Sequence, residues 1–154
     1  MQANVHGAQR DPPMITAIDL FCGVGGLTYG LRRAGVKVVA GVDIDPACAF
    51  PFTSNNGGTA ILQTDVASLQ AKKLCRYFRG HPGIKLLAGC APCQPFSSHN
   101  KGRDRTADGD WGLLYKFSEL TAELKPQLVT MENVPRLRGH KVFEDFISSL
   151  ERAG

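Results

Sequence analysis

A short apolar run, Ile15 to Leu20, breaks into the turn Phe21-Cys22-Gly23-Val24-Gly25-Gly26, and the chain then repeats this switch from buried strand to helix until its end. An apolar run of that length, closed by glycines, reads as a strand covered on both faces. Leu27, Leu31 and Ala34 then recur at helical spacing over Gly25 to Ala34, and Gly35 ends that helix. The valine-rich stretch Val36 to Val42 is a second strand. Pro46, with Asp45 as N-cap, opens another helix. Asn55-Asn56-Gly57-Gly58 is a loop signal, Thr59 to Leu62 a third strand and Ser68 to Phe78 a helix. After the loop Gly80 to Gly83, Ile84 to Ala88 is a fourth strand; Leu113 to Leu124 is helical, Leu128 to Met131 a fifth strand, and Val142 to Arg152 an amphipathic helix. Strands separated by helices need right-handed crossovers, so the expectation is an α/β fold: a parallel sheet in the order 3-2-1-4-5 with helices on both faces.

With 154 residues, 43% of them hydrophobic, the chain can build one real core. No apolar run approaches the roughly 20 residues that span a bilayer. Residues 1–13 are polar, without the apolar stretch of a secretory signal, and read as a disordered leader before a domain over 14–154. Both features favour the cytoplasm. A net charge of +4 permits a nucleic-acid partner without demanding one. The cysteines Cys22, Cys48, Cys75, Cys90 and Cys93 are odd in number, which argues for reduced thiols over a disulfide framework.

Ligands of open parallel sheets bind beyond the carboxyl ends of the strands, so the residues following each strand carry the chemistry. The first such station is Asp19 to Gly26. Its glycines allow a tight turn and close approach of backbone to a ligand. Asp43, roughly 20 residues on at the end of the second strand, can accept hydrogen bonds from both ribose hydroxyls. Thr28 stands where a dinucleotide fingerprint has its third glycine, so a nucleoside without pyrophosphate fits better. A glycine turn that binds nothing is the alternative.

The second station is Gly89-Cys90-Ala91-Pro92-Cys93-Gln94-Pro95-Phe96-Ser97. Its paired cysteines admit a zinc site, which lacks a second ligand pair here; a redox pair, which Pro95 opposes by breaking the helix such a pair needs; or a single nucleophile, Cys93, beside a packed structural Cys90. It opens the stretch Cys90 to Asp110, poor in periodic apolar residues and long enough to suggest a functional loop. The third station is Met131-Glu132-Asn133-Val134-Pro135. Glu132 follows apolar residues, so its carboxylate is expected to be partly desolvated and usable as a proton donor; a solvated loop glutamate is the alternative.

These stations, in this order, resemble the DNA cytosine-C5 methyltransferase family. Asp19 to Gly26 looks like its cofactor loop, Gly89 to Ser97 like its nucleophile motif and Glu132-Asn133-Val134 like its glutamate motif. The resemblance implies a Rossmann-like fold that binds S-adenosyl-L-methionine, and double-stranded DNA with a flipped cytosine as substrate, as in restriction-modification. It implies that Cys93 attacks C6 of the base while Glu132 bonds or protonates N3. It assigns the cofactor to Asp19, Phe21, Gly23, Gly25, Gly26, Asp43, Ile44, Asp65, Pro92 and Leu114. It assigns the substrate to Gln94, Ser97, Asn133 and Val134, with Lys101, Arg103 and Arg105 on a closing loop that touches phosphates. No metal is implied.

The family continues past the point where this chain ends, with strands 6 and 7, a target-recognition domain and a late helix beside the cofactor loop. The expectation is therefore an incomplete domain, inactive unless a second polypeptide supplies the remaining parts, and either a truncated gene product, an expression fragment or one subunit of a split enzyme. A cofactor- or partner-binding fragment and an RNA cytosine methyltransferase are the other readings. Such an enzyme works in the cytoplasm, at the nucleoid when bound to DNA.

Overall fold

A computed structural model describes residues 13–92 and 111–154. Five parallel strands form one sheet in the order β3-β2-β1-β4-β5, as the alternation of runs predicts. They are β1 (Ile15–Leu20), β2 (Lys37–Asp43), β3 (Ala60–Gln63), β4 (Ile84–Gly89) and β5 (Leu128–Met131). The helices are α1 (Gly26–Arg33), α2 (Ala49–Asn55), α3 (Ala71–Phe78), α4 (Gly112–Leu124) and α5 (Lys141–Ala153). Among the described residues no helix is long and apolar enough to cross a membrane.

Side chains alternate across a strand, and here the two faces differ in weight. Ile18, Leu20, Ala40, Val42, Leu62 and Leu87 face a large core closed by Leu74 and Phe78 of α3, Phe117 and Leu120 of α4 and Phe146 of α5. Ala17, Val38, Leu86 and Ala88 face a smaller cluster that Leu27 and Leu31 of α1 cover. The β1–β2 register slips between Ala17 and Ile18: Ala17 lies opposite Val38, but Ile18 lies opposite Ala40. Val39 is thus the extra residue of a bulge. It packs toward the large core like Ala40, and the slip sets which face every later residue of β2 presents.

The turns follow their chemistry. Gly35 ends α1 at φ 85°, its N–H bonded to Arg32 O at 3.1 Å. The helix expected from Pro46 starts as a 3₁₀ turn, Pro46–Cys48, capped by Asp45 Oδ1 accepting from Ala47 N–H at 2.9 Å, and then becomes α2. The helix expected from Ser68 is shorter. Asp65 caps a 3₁₀ turn, Val66–Ser68, and extended Leu69 and Gln70 separate it from α3. A third 3₁₀ turn, Pro135–Gly139, was not expected.

Candidate functional site

The loops leaving β1, β3, β4 and β5 are each held to a neighbouring strand by one further backbone bond. Cys22 N–H donates to Val42 O (3.0 Å), Thr64 N–H to Asp43 O (3.0 Å), Cys90 N–H to Leu20 O (3.3 Å) and Glu132 N–H to Gly89 O (3.0 Å). The ladder thus continues one step past the strand ends, and Leu20, Gly89 and Met131 stand in register. The three stations are neighbours along one edge of the sheet.

The β1 loop is tightly wound. Phe21 (φ 59°), Gly23 (φ 50°) and Gly25 (φ 90°) all have left-handed backbones. For a bulky residue such as Phe21 that conformation costs about 1–3 kcal/mol. Phe21 is half-buried against the large core. Gly25 cannot be anything larger: a Cβ there would collide with the Asn56 amide and sit 2.8 Å from Phe52 Cδ2. Asn56 is fully buried, and its Nδ2 donates to Gly25 O (3.3 Å) and Phe52 O (3.2 Å). Asn56 and Phe52 therefore form the floor of the loop. The sequence marked Asn56 only as a loop residue and did not mark Phe52. At Gly23 and Gly26, by contrast, the space a Cβ would enter is open.

Asp19 lies beneath this loop. Its side chain is inaccessible to solvent and accepts from Thr28 Oγ1 at 2.6 Å. The residue standing in place of a third glycine is thus the one that fastens the first turn of α1 to β1. Burial pushes the Asp19 carboxyl up to about 6; the bonds from Thr28 oppose that rise and the nearby Asp43 charge adds to it. Among the described residues Asp19 Oδ1 has no hydrogen-bond partner. Burial, then the charges of Asp19 and Asp43, also raise the Cys22 thiol, which favours its protonated form.

Asp43 holds the loop from the other side. Its Oδ2 accepts from Gly23 N–H (2.8 Å) and its Oδ1 from Asp45 N–H (2.9 Å). Each carboxylate oxygen has a further lone pair, so acceptance from a ribose remains open. Asp65 accepts from Ala67 N–H through Oδ1 alone (2.8 Å), and the residue is exposed at the end of β3. Ile44 is 65% exposed. The open space at Gly23 and Gly26 and the spare acceptors of Asp43 and Asp65 fit a nucleoside that carries a positive charge. Leu114, by contrast, is buried in the large core on α4.

At the second and third stations two expectations need correction. Cys90 is exposed, not packed. Gly89 and Ala91 are buried on either side of it, so the alternation of the strand sends Cys90 outward. Gly89 must stay small, since a Cβ would lie 2.7 Å from Leu20 O and 2.9 Å from Phe117 Cε2. Glu132 is likewise exposed. It follows a four-residue edge strand that has a neighbour on one side only, and apolar residues before it in sequence do not cover it. Asn133 joins the two stations: its Nδ2 donates to Ala91 O (3.0 Å), and its Oδ1 accepts from Val134 N–H (2.8 Å). Pro92 is half-buried and Val134 is 40% exposed. Cys93, Gln94, Ser97, Lys101, Arg103 and Arg105 lie outside the described residues, as does the leader except Pro13. Among the described residues no three His, Cys, Asp or Glu side chains gather as a metal site.

Residues 15–154 match the family model described as C-5 cytosine-specific DNA methylase. The chain belongs to that family. It is 43% identical over 140 residues to the Type II methylase M.HgiDII of Herpetosiphon aurantiacus, covering 89% of this chain and 38% of that one. The crystal structure of a prophage-encoded DNA modification methyltransferase from E. coli matches with a TM-score of 0.74 at 30% identity, over 90% of this chain and 38% of the other. Spodoptera frugiperda DNMT2, at 22% identity and a TM-score of 0.67, shares the fold over 90% of this chain and 41% of its own. This C-5 cytosine methylase chain therefore spans less than half the length of the relatives it matches.

Proposed function

We propose that this chain supplies the cofactor and nucleophile loops of a DNA cytosine-C5 methyltransferase. The observation that carries the reading is the Asn133–Ala91 bond. It fixes the Glu132 loop to the backbone immediately before Pro92-Cys93, on the strand next to the one that ends in the glycine loop. Asp43 and Asp65 would hold the ribose and adenine of S-adenosyl-L-methionine, with Phe21 and Ile44 against its rings and Gly23, Gly25 and Gly26 admitting it close to the backbone. Asp19 acts from beneath, by holding α1 under the loop. The cofactor, when bound, supplies an electrophilic methyl group to C5 of the base.

The chain's own residues prepare that carbon. Cys93 adds to C6 of a flipped cytosine, forming a carbon–sulfur bond. Glu132 donates a proton or hydrogen bond to N3 and so takes up the charge that develops on the ring. After transfer, loss of the C5 proton expels the Cys93 thiolate and restores the aromatic ring. Gln94, Ser97, Asn133 and Val134 would hold the base and its phosphates, and Lys101, Arg103 and Arg105 would neutralise the backbone around it.

The test is trapping on duplex DNA containing 5-fluorocytosine, where the fluorine blocks that last step and leaves a covalent adduct. It uses the chain alone and the chain supplied with the remaining family segments as a second polypeptide. A Cys93-dependent adduct, lost in Cys93→Ser and kept in Cys90→Ser, is expected with the second polypeptide present. An adduct that survives Cys93→Ser would overturn the assignment. An adduct formed by the chain alone would show that no second polypeptide is needed.

A further inference from the structure

Over residues 13–92 every acidic side chain lies at one end of the sheet: Asp19, Asp43, Asp45 and Asp65 all sit at the carboxyl ends of β1, β2 and β3 or just beyond. The opposite end holds a cavity of about 560 Å³. It lies between the last turns of α1 and α3, the start of β2 and the loop before β3. Arg32, Lys37, Arg76, Arg79 and His81 line it, and no acidic residue does. Among the described residues the ion pairs are Lys116–Glu119 and Lys141–Asp145, so none of these four lysine and arginine side chains has a carboxylate partner. Arg32 Nη2 donates to Gly57 O at 2.9 Å, which fixes one wall and orients the guanidinium. At roughly 3.3 Å per residue, the strands of six and seven residues put this cavity about 20 Å from the glycine loop.

Uncompensated cations are rarely drawn into one concavity, since they repel one another and the chain gains nothing by holding them there. A concave wall of like charge concentrates counter-ions of opposite sign, and guanidinium groups match the oxygens of a phosphate in bidentate fashion. We propose that this cavity is a phosphate-binding site, in which Arg32, Lys37, Arg76 and Arg79 receive a phosphoryl polyanion. It lies at the end of the sheet away from the methyl-transfer machinery, so it acts independently of the flipped base. Two sources share the chemistry: the backbone of a nucleic-acid duplex held away from the reacting cytosine, and a free polyphosphate.

The experiment uses the 154-residue chain and two probes. One is a labelled dA·dT duplex, which contains no cytosine, followed by anisotropy across a salt series. The other is tripolyphosphate, followed by calorimetry. Arg76 and Arg79 are exposed, so the double variant Arg76→Gln/Arg79→Gln should fold, which a thermal melt checks. The variant Lys141→Gln/Arg152→Gln removes the same charge from α5, outside the cavity. If the ligand is a duplex, the first variant weakens binding at least tenfold at low salt and flattens the slope of log K against log salt by about 2, and the second leaves both nearly unchanged. If the ligand is a free polyphosphate, tripolyphosphate binds, the duplex does not, and only the first variant loses it. Equal losses in both variants, or no binding of either probe, would overturn the site.

Discussion

The two ends of this sheet are built to opposite specifications. At the carboxyl ends of the strands the backbone is crowded and bent: left-handed Phe21 and Gly25, a glycine floor made of Asn56 and Phe52, and carboxylates with lone pairs to spare. At the amino ends the cavity is lined by cationic side chains, and Gly57 beside it has nothing within 4 Å of where a Cβ would stand. The glycine loop depends on shape and the cavity on charge. Substitutions should therefore act through folding and chemistry at the first, and through salt-dependent association at the second.

The largest effect should come from Glu132→Gln in any preparation that transfers methyl groups. In the proposed role of Glu132 as donor to N3, loss of that group lowers the rate by about 10²–10⁴. Duplex binding at the cationic cavity should be untouched; a parallel fall in both would show that the two ends are not independent. Gly25→Ala comes next. It combines a left-handed backbone with a collision against Asn56 and should cost about 3 kcal/mol, measured by denaturant unfolding.

Asp19→Asn sharpens the comparison through pH. The folded chain holds the Asp19 proton more tightly than the unfolded chain, because burial raises the carboxyl from its ordinary 3.8 to about 6. That contribution to stability is full below about pH 4 and is lost as pH rises through about 6. The loss amounts to at most about 3 kcal/mol. Thermal melts at pH 4.5 and 7 should differ less in Asp19→Asn than in the parent chain; an unchanged difference would place the titration elsewhere. The smallest effect is at Gly57→Ala, which should stay within about 0.5 kcal/mol.

The strands were legible because each is an apolar run of the right length, and their alternation with helices calls for parallel pairing through right-handed crossovers. The stations were legible because chemistry at strand ends is written in contiguous residues. Asn56 was not, because it is 31 residues from Gly25 in sequence and acts only after α2 brings it beneath the loop. Burial at Cys90 and Glu132 was misjudged for a related reason. Residue type speaks to solubility, but direction at the end of a strand depends on register, and cover depends on whether the strand is an edge. The 3₁₀ turn Pro135–Gly139 escaped because a single tight turn has no periodicity to detect.

The one-step continuation of the ladder past the strand ends has a kinetic consequence. Loop amides usually exchange their hydrogens with water quickly, since little has to open. The N–H groups of Cys22, Thr64, Cys90 and Glu132 are instead bonded to carbonyls of neighbouring strands, so exposing any of them requires a loop to peel from the sheet. In deuterated water these four should exchange at rates set by opening of the sheet, slowest at Cys22 between two inner strands and fastest at Glu132 on the edge.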